Sequence, residues 1–210
     1  MMKIIIADDH PIVREGLIKI LEKKIDSVHI EQAGTGMELM EKVRQYDFDI
    51  VLLDITLPDT NGLDVLERLK IEIPKLPVLI LSIHSEEHYA IRAYKAGAGG
   101  YLKKDKAPEE LLEAIRKVAA GGKYVSSDLA EIMALALETG TNKVPHEMLS
   151  NREYEVMCLI ASGKTVSQIA DMLALSVRTV STYRARILEK MQMKSNAEIT
   201  HYAISSGIVE

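Results

Sequence analysis

Disulfide chemistry is closed to this chain, because its 210 residues include one cysteine, Cys158. That thiol lies in the apolar series Val156, Met157, Leu159 and Ile160 of a helix-like segment, so a buried inert side chain is expected rather than a nucleophile. Long apolar runs are missing as well. None approaches the roughly 20 residues of a bilayer span. The N-terminus offers one lysine and the short run Ile4 to Ala7, where a signal peptide needs a longer hydrophobic region. A cytoplasmic protein with no membrane association is expected. What the chain does have, 47% hydrophobic and 27% charged residues, fits a globular protein long enough for two modest domains.

The formal charge of −5 is unevenly spread. From Glu147 onward there are 7 basic and 7 acidic residues, against 19 basic and 24 acidic upstream, so the first part carries the whole deficit. Within the neutral part, Arg178, Arg184, Arg186, Lys190 and Lys194 fall inside 17 residues, opposed there only by Glu189. A solvated helix face and a nucleic-acid surface both account for such a basic stripe, and charge alone does not separate them.

Five short β-like runs alternate with helix-like stretches up to about residue 120: Lys3 to Ala7, His29 to Ala33, Asp49 to Leu53, Val78 to Leu81, and Tyr101 to Leu102. Three are nearly all apolar, as strands covered on both faces must be. Between them, apolar residues recur at helical spacing: Ile12, Leu17, Ile20 and Leu21, then Leu39, Met40 and Val43, then Leu63, Leu66 and Leu69, with two more such stretches after residue 90. Strand and helix in alternation imply a parallel sheet flanked by helices on both faces. Gly121 and Gly122 are expected to close the last helix and the domain, giving a first domain of residues 1–122. Residues 123–146 then read as a linker, with a helix from Asp128 to Leu137 and the polar stretch "ETGTNKVPHE". Residues 147–210 read as all-helical. Ser150 with Glu153, Thr165 with Gln168 and Ser195 with Glu198 each match the capping box, and Ser176 caps one helix more, so four helices make a small separate domain.

The segment "IIIADDHP" ends a buried strand in two adjacent carboxylates, Asp8 and Asp9, whose repulsion and desolvation demand a positive partner. Ligands of doubly wound sheets bind beyond the carboxyl ends of the strands, where the strand order reverses. Asp54 ends the third run, so if the first and third strands are neighbours, three carboxylates converge. Such a cluster suits a cation, and hard oxygen ligands at a shallow, wet site suit Mg²⁺. Ser82 ends the fourth run and Lys104 follows the fifth. A hydroxyl, an ammonium and Mg²⁺ around one carboxylate are the groups that stabilise a transferring phosphoryl group, with Asp54 as its nucleophile.

"IIIADDHPIVREGL", "DIVLLDITLPDTNGLDVL", "VLILS" and "AGAGGYLKKD" resemble the receiver domain of bacterial two-component response regulators. The resemblance implies a flavodoxin-like five-stranded parallel sheet, with Asp54 as phosphoacceptor. It also implies that Asp9, Asp54 and the backbone carbonyl of Thr56 hold Mg²⁺ directly and that Asp8 acts largely through metal-bound water. Ser82 becomes the switch hydroxyl, Tyr101 the switch aromatic and Lys104 the lysine at the phosphoryl group. Two positions depart from the family pattern: Leu57 stands where methionine is common, and Lys103 replaces an aliphatic residue. Strand alternation puts Lys103 and Lys104 on opposite faces, and the family's lysine directly precedes the position of Asp105, so Lys104 is expected to point inward.

"TVSQIADMLALSVRTVSTYRARILEKM" reads as helix, turn, helix. Ile169, Ala170 and Leu173 are expected to pack against Val177, Val180, Ile187 and Leu188, around a turn at Ala174 to Ser176. At about 100° per residue, Val180, Ile187 and Met191 share one face of the second helix, opposite Arg178, Ser181, Thr182, Ala185, Arg186 and Glu189. Arginines and small hydroxyls on a capped helix suit a DNA major groove. Arg184 falls near the packed side and is expected to reach a phosphate. The bland alternative is a helical packing domain with a solvated face. The stretch from Leu149 to Met191 resembles the LuxR-type helix-turn-helix domain, and both halves together resemble the NarL/FixJ subfamily of response regulators. That resemblance implies a phosphorylation-controlled transcription regulator rather than a turnover enzyme, partnered by a sensor histidine kinase and double-stranded promoter DNA. Its DNA surface is expected to include Arg178, Ser181, Thr182, Arg184, Ala185, Arg186, Lys190 and Lys194. The last helix commonly pairs two such domains in a homodimer, which makes Ile199, Tyr202 and Ala203 interface candidates, with packing inside one domain as the equal alternative.

Two enzyme readings compete. "HSEEH", from His84 to His88, fits the His-x-x-Glu-His pattern of a zinc protease, but His84 follows a strand too closely to share a helix face with His88. A phosphohydrolase built on Asp54 needs a general acid nearby, often an aspartate two residues on, and Thr56 holds that place.

Overall fold

The computed structural model describes residues 1–83, 86–127, 129–131 and 145–209. The chain forms two compact units, Met1–Glu138 and Thr139–Glu210. In the first, strands β1 (Met2–Ala7), β2 (Val28–Ala33), β3 (Ile50–Asp54), β4 (Val78–Ser82) and β5 (Gly100–Lys103) alternate with helices α1 (Pro11–Lys24), α2 (Gly36–Gln45), α3 (Gly62–Glu72), α4 (Glu86–Lys95) and α5 (Ala107–Ala119).

All five strands pair in parallel in the order β2-β1-β3-β4-β5. β3 and β4 bury every residue, which their unbroken apolar sequences require. Alternation along the strands sends Ile4, Ile6, Ile50, Leu52, Leu79, Leu81 and Leu102 into one core with Leu17 and Leu21 of α1 and Leu111 and Ile115 of α5. Ile5, Val51, Leu53 and Ile80, equally buried, face the other way. Each such side chain contributes about 1.5–3 kcal/mol on leaving water. The helical spacing misplaced one residue: Ile12 is 84% exposed at the start of α1 and belongs to no core.

Gly121, at φ +82°, ends α5 as expected, but the unit does not stop at Gly122. The Tyr124 N–H donates to the Gly99 carbonyl at 2.9 Å and Tyr124 forms a parallel bridge with Gly100. Tyr94 of α4 donates its hydroxyl to the Tyr124 carbonyl, and the Tyr124 ring is buried. β5 is an edge strand, and this segment pairs with its first residue. Of the helix expected from Asp128 to Leu137, residues 129–131 are helical. Its remainder, and the stretch to residue 144, lie outside the described residues, as do His84 and the side chain of His88.

The second unit contains a short 3₁₀ turn, Pro145–Met148, and helices α6 (Asn151–Ala161), α7 (Val166–Met172), α8 (Val177–Lys190) and α9 (Asn196–Ser205). Capping boxes at Ser150/Glu153 and Thr165/Gln168 are complete in both directions. At the third, the Ser195 side chain accepts from the Glu198 N–H, while the Glu198 carboxylate accepts from the Lys194 backbone N–H and the Ser195 hydroxyl and not from the Ser195 backbone N–H. Val156, Met157, Ile169, Val180 and Ile187 fill the core, and Cys158 is buried among them. Val177 is not part of it: at the first position of α8 it is 51% exposed.

The turn between α7 and α8 is held from outside. Ala174 occupies the left-handed region at φ +51°, and the Leu175 N–H returns to the Ala170 carbonyl at 2.8 Å. Arg152 of α6 donates to the Leu173 carbonyl at 3.2 Å and to Glu155 at 2.8 Å, a buried ion pair that ties this turn to the first helix. A Cβ in the left-handed region costs about 1–2 kcal/mol, partly offset by the greater entropy glycine loses on folding. Ala174→Gly is therefore expected to stabilise this unit by about 0.5 kcal/mol, read as a higher urea midpoint with unchanged slope.

Candidate functional site

β1 pairs with both β2 and β3, so the strand order reverses between β1 and β3, and Asp8, Asp9 and Asp54 stand at that crevice. Side-chain ligand atoms of Asp8, Asp9, His10 and Asp54 all lie within 4.8 Å of one another. Asp8 and Asp54 are buried, and Asp9 is partly exposed.

The positive partner is Lys104. Its Nζ stands 2.6 Å from Asp54 Oδ2 and 2.7 Å from Asp8 Oδ2. The choice between the two lysines is settled by position: Lys103 ends β5 opposite Ser82, and Lys104 donates its backbone N–H to the Ser82 carbonyl at 2.9 Å before turning inward. Burial pushes the Asp54 carboxyl up to about 6, against the pull of the Lys104 charge, with Asp8 adding to the rise. Burial acts to lower the Lys104 ammonium, but Asp54 and Asp8 together hold it above its ordinary value.

Several residues that sequence reasoning passed over shape this pocket. Arg14 donates to the Asp8 carbonyl at 2.6 Å and to Gln32 at 2.9 Å, which anchors the end of β1. The buried Asn61 caps α3 by accepting from the Leu63 N–H at 2.9 Å. Gly62 donates to the Ile55 carbonyl at 2.6 Å, and a Cβ there would fall 2.0 Å from the Asp54 carbonyl oxygen. Only glycine lets α3 start this close to the strand end that carries Asp54. The signal for Gly62 was available in "PDTNGLD", a turn sequence directly after the aspartate.

Ser82 and Tyr101 are both fully buried, Ser82 at the end of β4 and Tyr101 in β5 opposite Ile80. Thr56 donates its backbone N–H toward Asp54 Oδ1 at 3.4 Å. The donor set fits a small divalent cation: it is rich in carboxylate oxygen, and buried Asp8 Oδ2 and Asp9 Oδ1 make no hydrogen bond of sound geometry. Asp8 Oδ2 is nonetheless in ion-pair range of Lys104, so its charge is compensated even where its lone pairs are not.

In the helical unit, Arg178, Ser181, Thr182, Ala185 and Arg186 are all exposed along α8. Ser181 and Thr182 donate their hydroxyls to the carbonyls of Val177 and Arg178, at 2.8 and 3.0 Å, which leaves acceptor lone pairs outward. Two expected phosphate contacts have other employment. Arg184 donates to Asn196 at 2.5 Å, and Lys190 pairs with the buried carboxylate of Glu153 at 2.6 Å. Lys194 is exposed. Ile199 and Ala203 are fully buried inside the unit and offer no surface to a second copy. Tyr202, partly exposed, shares a 2.8 Å hydrogen bond between its hydroxyl and His146 Nδ1. An α9 surface would instead use Ala197, His201, Ile204 and Ser205, which are exposed.

The raised Asp54 carboxyl has a pH consequence. Its folded pKa exceeds the unfolded value, so its contribution is fully present below about 4 and is lost as pH rises toward about 6, amounting to roughly 3 kcal/mol. In EDTA, the difference in urea stability between the unaltered protein and Asp54→Asn is expected to follow that window. The comparison removes Glu38, Glu72 and Glu153, whose lowered pKa values act in the opposite sense.

Residues 4–116 match the response regulator receiver domain, and residues 147–203 match the luxR family of bacterial regulatory proteins. Response regulator UvrY of Escherichia coli (strain K12) is 34% identical over 209 residues, covering 99% of this chain and 96% of its own length. Response regulator GacA of Pseudomonas syringae pv. syringae (strain B728a) is 34% identical, over 100% of this chain and 99% of that one. The solved structure of RcsB from Salmonella enterica serovar Typhimurium, bound to promoter rprA in the presence of phosphomimetic BeF₃⁻, is 25% identical with a TM-score of 0.65, covering 98% of this chain and 100% of that one. Carboxylates, lysine and hydroxyl gathered at one end of a parallel sheet, and a capped helix-turn-helix with an exposed basic face, accordingly sit in one chain that belongs to the two-component response regulators of the NarL/FixJ type, with a receiver domain and a LuxR-type DNA-binding domain.

Proposed function

We propose that Asp54 accepts a phosphoryl group from the phosphohistidine of a sensor histidine kinase and that the modified protein regulates transcription by binding promoter DNA, acting as a switch in the cytoplasm and not as a turnover enzyme. The observation that carries this reading is the contact of Lys104 Nζ with both Asp54 and Asp8, because it supplies a nucleophilic carboxylate with a fixed positive charge at the end of the sheet. In this reading phosphoacceptor chemistry belongs to residues 1–122, whose unit continues past Tyr124, and DNA binding to residues 147–210.

Asp8, Asp9, Asp54 and the Thr56 carbonyl would hold Mg²⁺, which supplies charge neutralisation at the transferring phosphoryl oxygens. An Asp54 oxygen forms the new bond to phosphorus as the bond to the histidine nitrogen breaks and the imidazole leaves. Lys104 moves its contact from the free carboxylate to the phosphoryl oxygens, and Ser82 closes on the same group. Tyr101 is already buried, so its part in the change is a repacking and not a swing in from solvent. About 3 kcal/mol of differential interaction shifts such an equilibrium more than a hundredfold. The solved relative bound to promoter DNA supports the second half of the reading. In this reading Ser181, Thr182 and Ala185 of α8 would meet base edges, while Arg178 and Arg186 of α8 and Lys194 beyond its end would meet phosphates. Two domains in a homodimer would read half-sites about one helical turn apart.

Acetyl phosphate and Mg²⁺ are expected to add one phosphoryl group to the protein by mass spectrometry. Asp54→Ala should abolish the addition, and full labelling of that variant overturns the assignment. In DNA titrations, Arg186→Ala is expected to weaken binding at all sequences and to reduce the salt slope by about one, whereas Thr182→Ala changes the preferred base at one position. Lys190→Ala should act mainly on stability, through Glu153.

A further inference from the structure

We propose that Asp59 is a positioning residue for the cation site: it holds the loop that follows Asp54 to the start of α2 and so sets the Thr56 carbonyl against the carboxylates. The inference rests on the reading above, in which Asp8, Asp9, Asp54 and that carbonyl hold Mg²⁺.

The tie is a pair of hydrogen bonds. Gly36 and Met37 donate their N–H groups to Asp59 Oδ1 at 2.8 Å and to Asp59 Oδ2 at 2.9 Å. The first N–H groups of a helix have no partner within it, and the positive end of the helix dipole favours a carboxylate there. α2 already has a cap of its own, because the Thr35 side chain accepts from the Glu38 N–H at 3.0 Å. Asp59 adds a second cap from 22 and 23 residues away, and what this one joins is tertiary: the loop after β3 and the helix after β2.

The loop is closed at its base, where Thr56 and Asn61 form an antiparallel bridge and Gly62 donates to the Ile55 carbonyl at 2.6 Å. Leu57 fixes one side of it in the core. On the other side it leans on α2. A Cβ at Gly36 would fall 2.5 Å from Thr60 Cγ2 and 2.8 Å from Val65 Cγ2, so the bare glycine lets α2 start against the loop and α3, within reach of both Asp59 oxygens.

The same stretch of chain also holds the opposite wall of the crevice. Asp8 donates its backbone N–H to the Ala33 carbonyl at 3.1 Å, and Gly34 donates to Glu38 Oε2 at 2.7 Å. Residues 33–37 therefore connect Asp8, at the end of β1, with the loop that carries Thr56, at the end of β3. A small cation shared between two walls needs their spacing fixed, because Mg²⁺ demands near-ideal octahedral geometry at about 2.0–2.1 Å. Asp59 is outside the cluster of possible ligand atoms and acts through the backbone it holds.

The test uses the full chain, calorimetric titration with Mg²⁺, amide hydrogen exchange, and acetyl phosphate as phosphodonor. Asp59→Ala is expected to speed exchange at the Gly36 and Met37 amides in metal-free protein. It should weaken Mg²⁺ binding by about tenfold, the lower end of the loss seen when a group that orients a metal ligand is removed. Asp59→Asn, which keeps one acceptor oxygen, should lose less. The Mg²⁺ concentration for half-maximal phosphorylation should rise with the dissociation constant, while the rate at saturating Mg²⁺ is retained. Should Asp59→Ala fail to fold, Asp59→Asn decides by the same measures. Unchanged Mg²⁺ affinity overturns the positioning role and leaves the cation site standing, as does a fall in the saturated rate with no change in Mg²⁺ dependence. Equal losses in the two variants that vanish in about 1 M KCl, where charges are screened beyond about 3 Å, also overturn it, since they report a distant charge and not a tie. Mg²⁺ binding that survives Asp9→Asn and Asp54→Asn with unchanged affinity overturns the cation reading and this inference with it.

Discussion

A single ammonium group makes the first unit's chemistry compatible with its fold. Two carboxylates, Asp8 and Asp54, are buried at the carboxyl ends of β1 and β3, and burial drives Asp54 toward the neutral acid. Lys104 stands between them at 2.6 and 2.7 Å. β5 lies two strand spacings, about 10 Å, from β3, so only a long side chain turning back from beyond the strand end can reach. The same contact that offsets the repulsion also leaves Asp54 ready to exchange one set of charges for another. Gly62 and Arg14 serve this arrangement from either side, one by letting the chain pass close to Asp54 and the other by holding the end of β1.

The helical unit divides its charges between support and display. Arg152 with Glu155, and Lys190 with Glu153, connect α6 to the turn before α8 and to the end of α8 itself. The Arg152–Glu155 pair is buried, and such a pair adds little net stability but is costly to break, while Lys190 reaches its buried partner from an exposed position. Arg178 and Arg186 have no ion pair among the described residues and remain exposed. The basic stripe is therefore two populations: side chains that aim the helix and side chains that face outward from it. Capping at Ser176 satisfies the Thr179 N–H and orders the first turn of α8, which carries Arg178.

Most of the element order could be read from residue spacing. The five strands appear within a residue or two of where apolar runs announced them, and the caps at Ser150, Thr165 and Ser176 mark helix starts because a short polar side chain there satisfies backbone N–H groups locally. The errors share a cause. Ile12 and Val177 are apolar and helical in phase, yet each sits in a first turn that projects beyond its packing surface. Ile199 and Ala203 were candidates for an interface because a helix face looks the same whether it meets its own core or another molecule. The strand-like cover that Tyr124 gives to β5 had no sequence signal, since a single bridged residue has no period to detect.

The sequence by itself determined which residues are candidates for the chemistry: the aspartates at two strand ends, the serine and lysine at two others, and the arginines and hydroxyls of one capped helix. Each of these follows from local pattern, where strand alternation and helix phase act over a few residues. Only the tertiary structure decided which of them meet. The strand order places β1 beside β3 and sends Lys104 across β4 to Asp54, while the packing of α6 against α8 withdraws Lys190 to Glu153. Those meetings join residues 50 and 37 positions apart, and such contacts depend on which faces bury together and not on any neighbourhood in the chain.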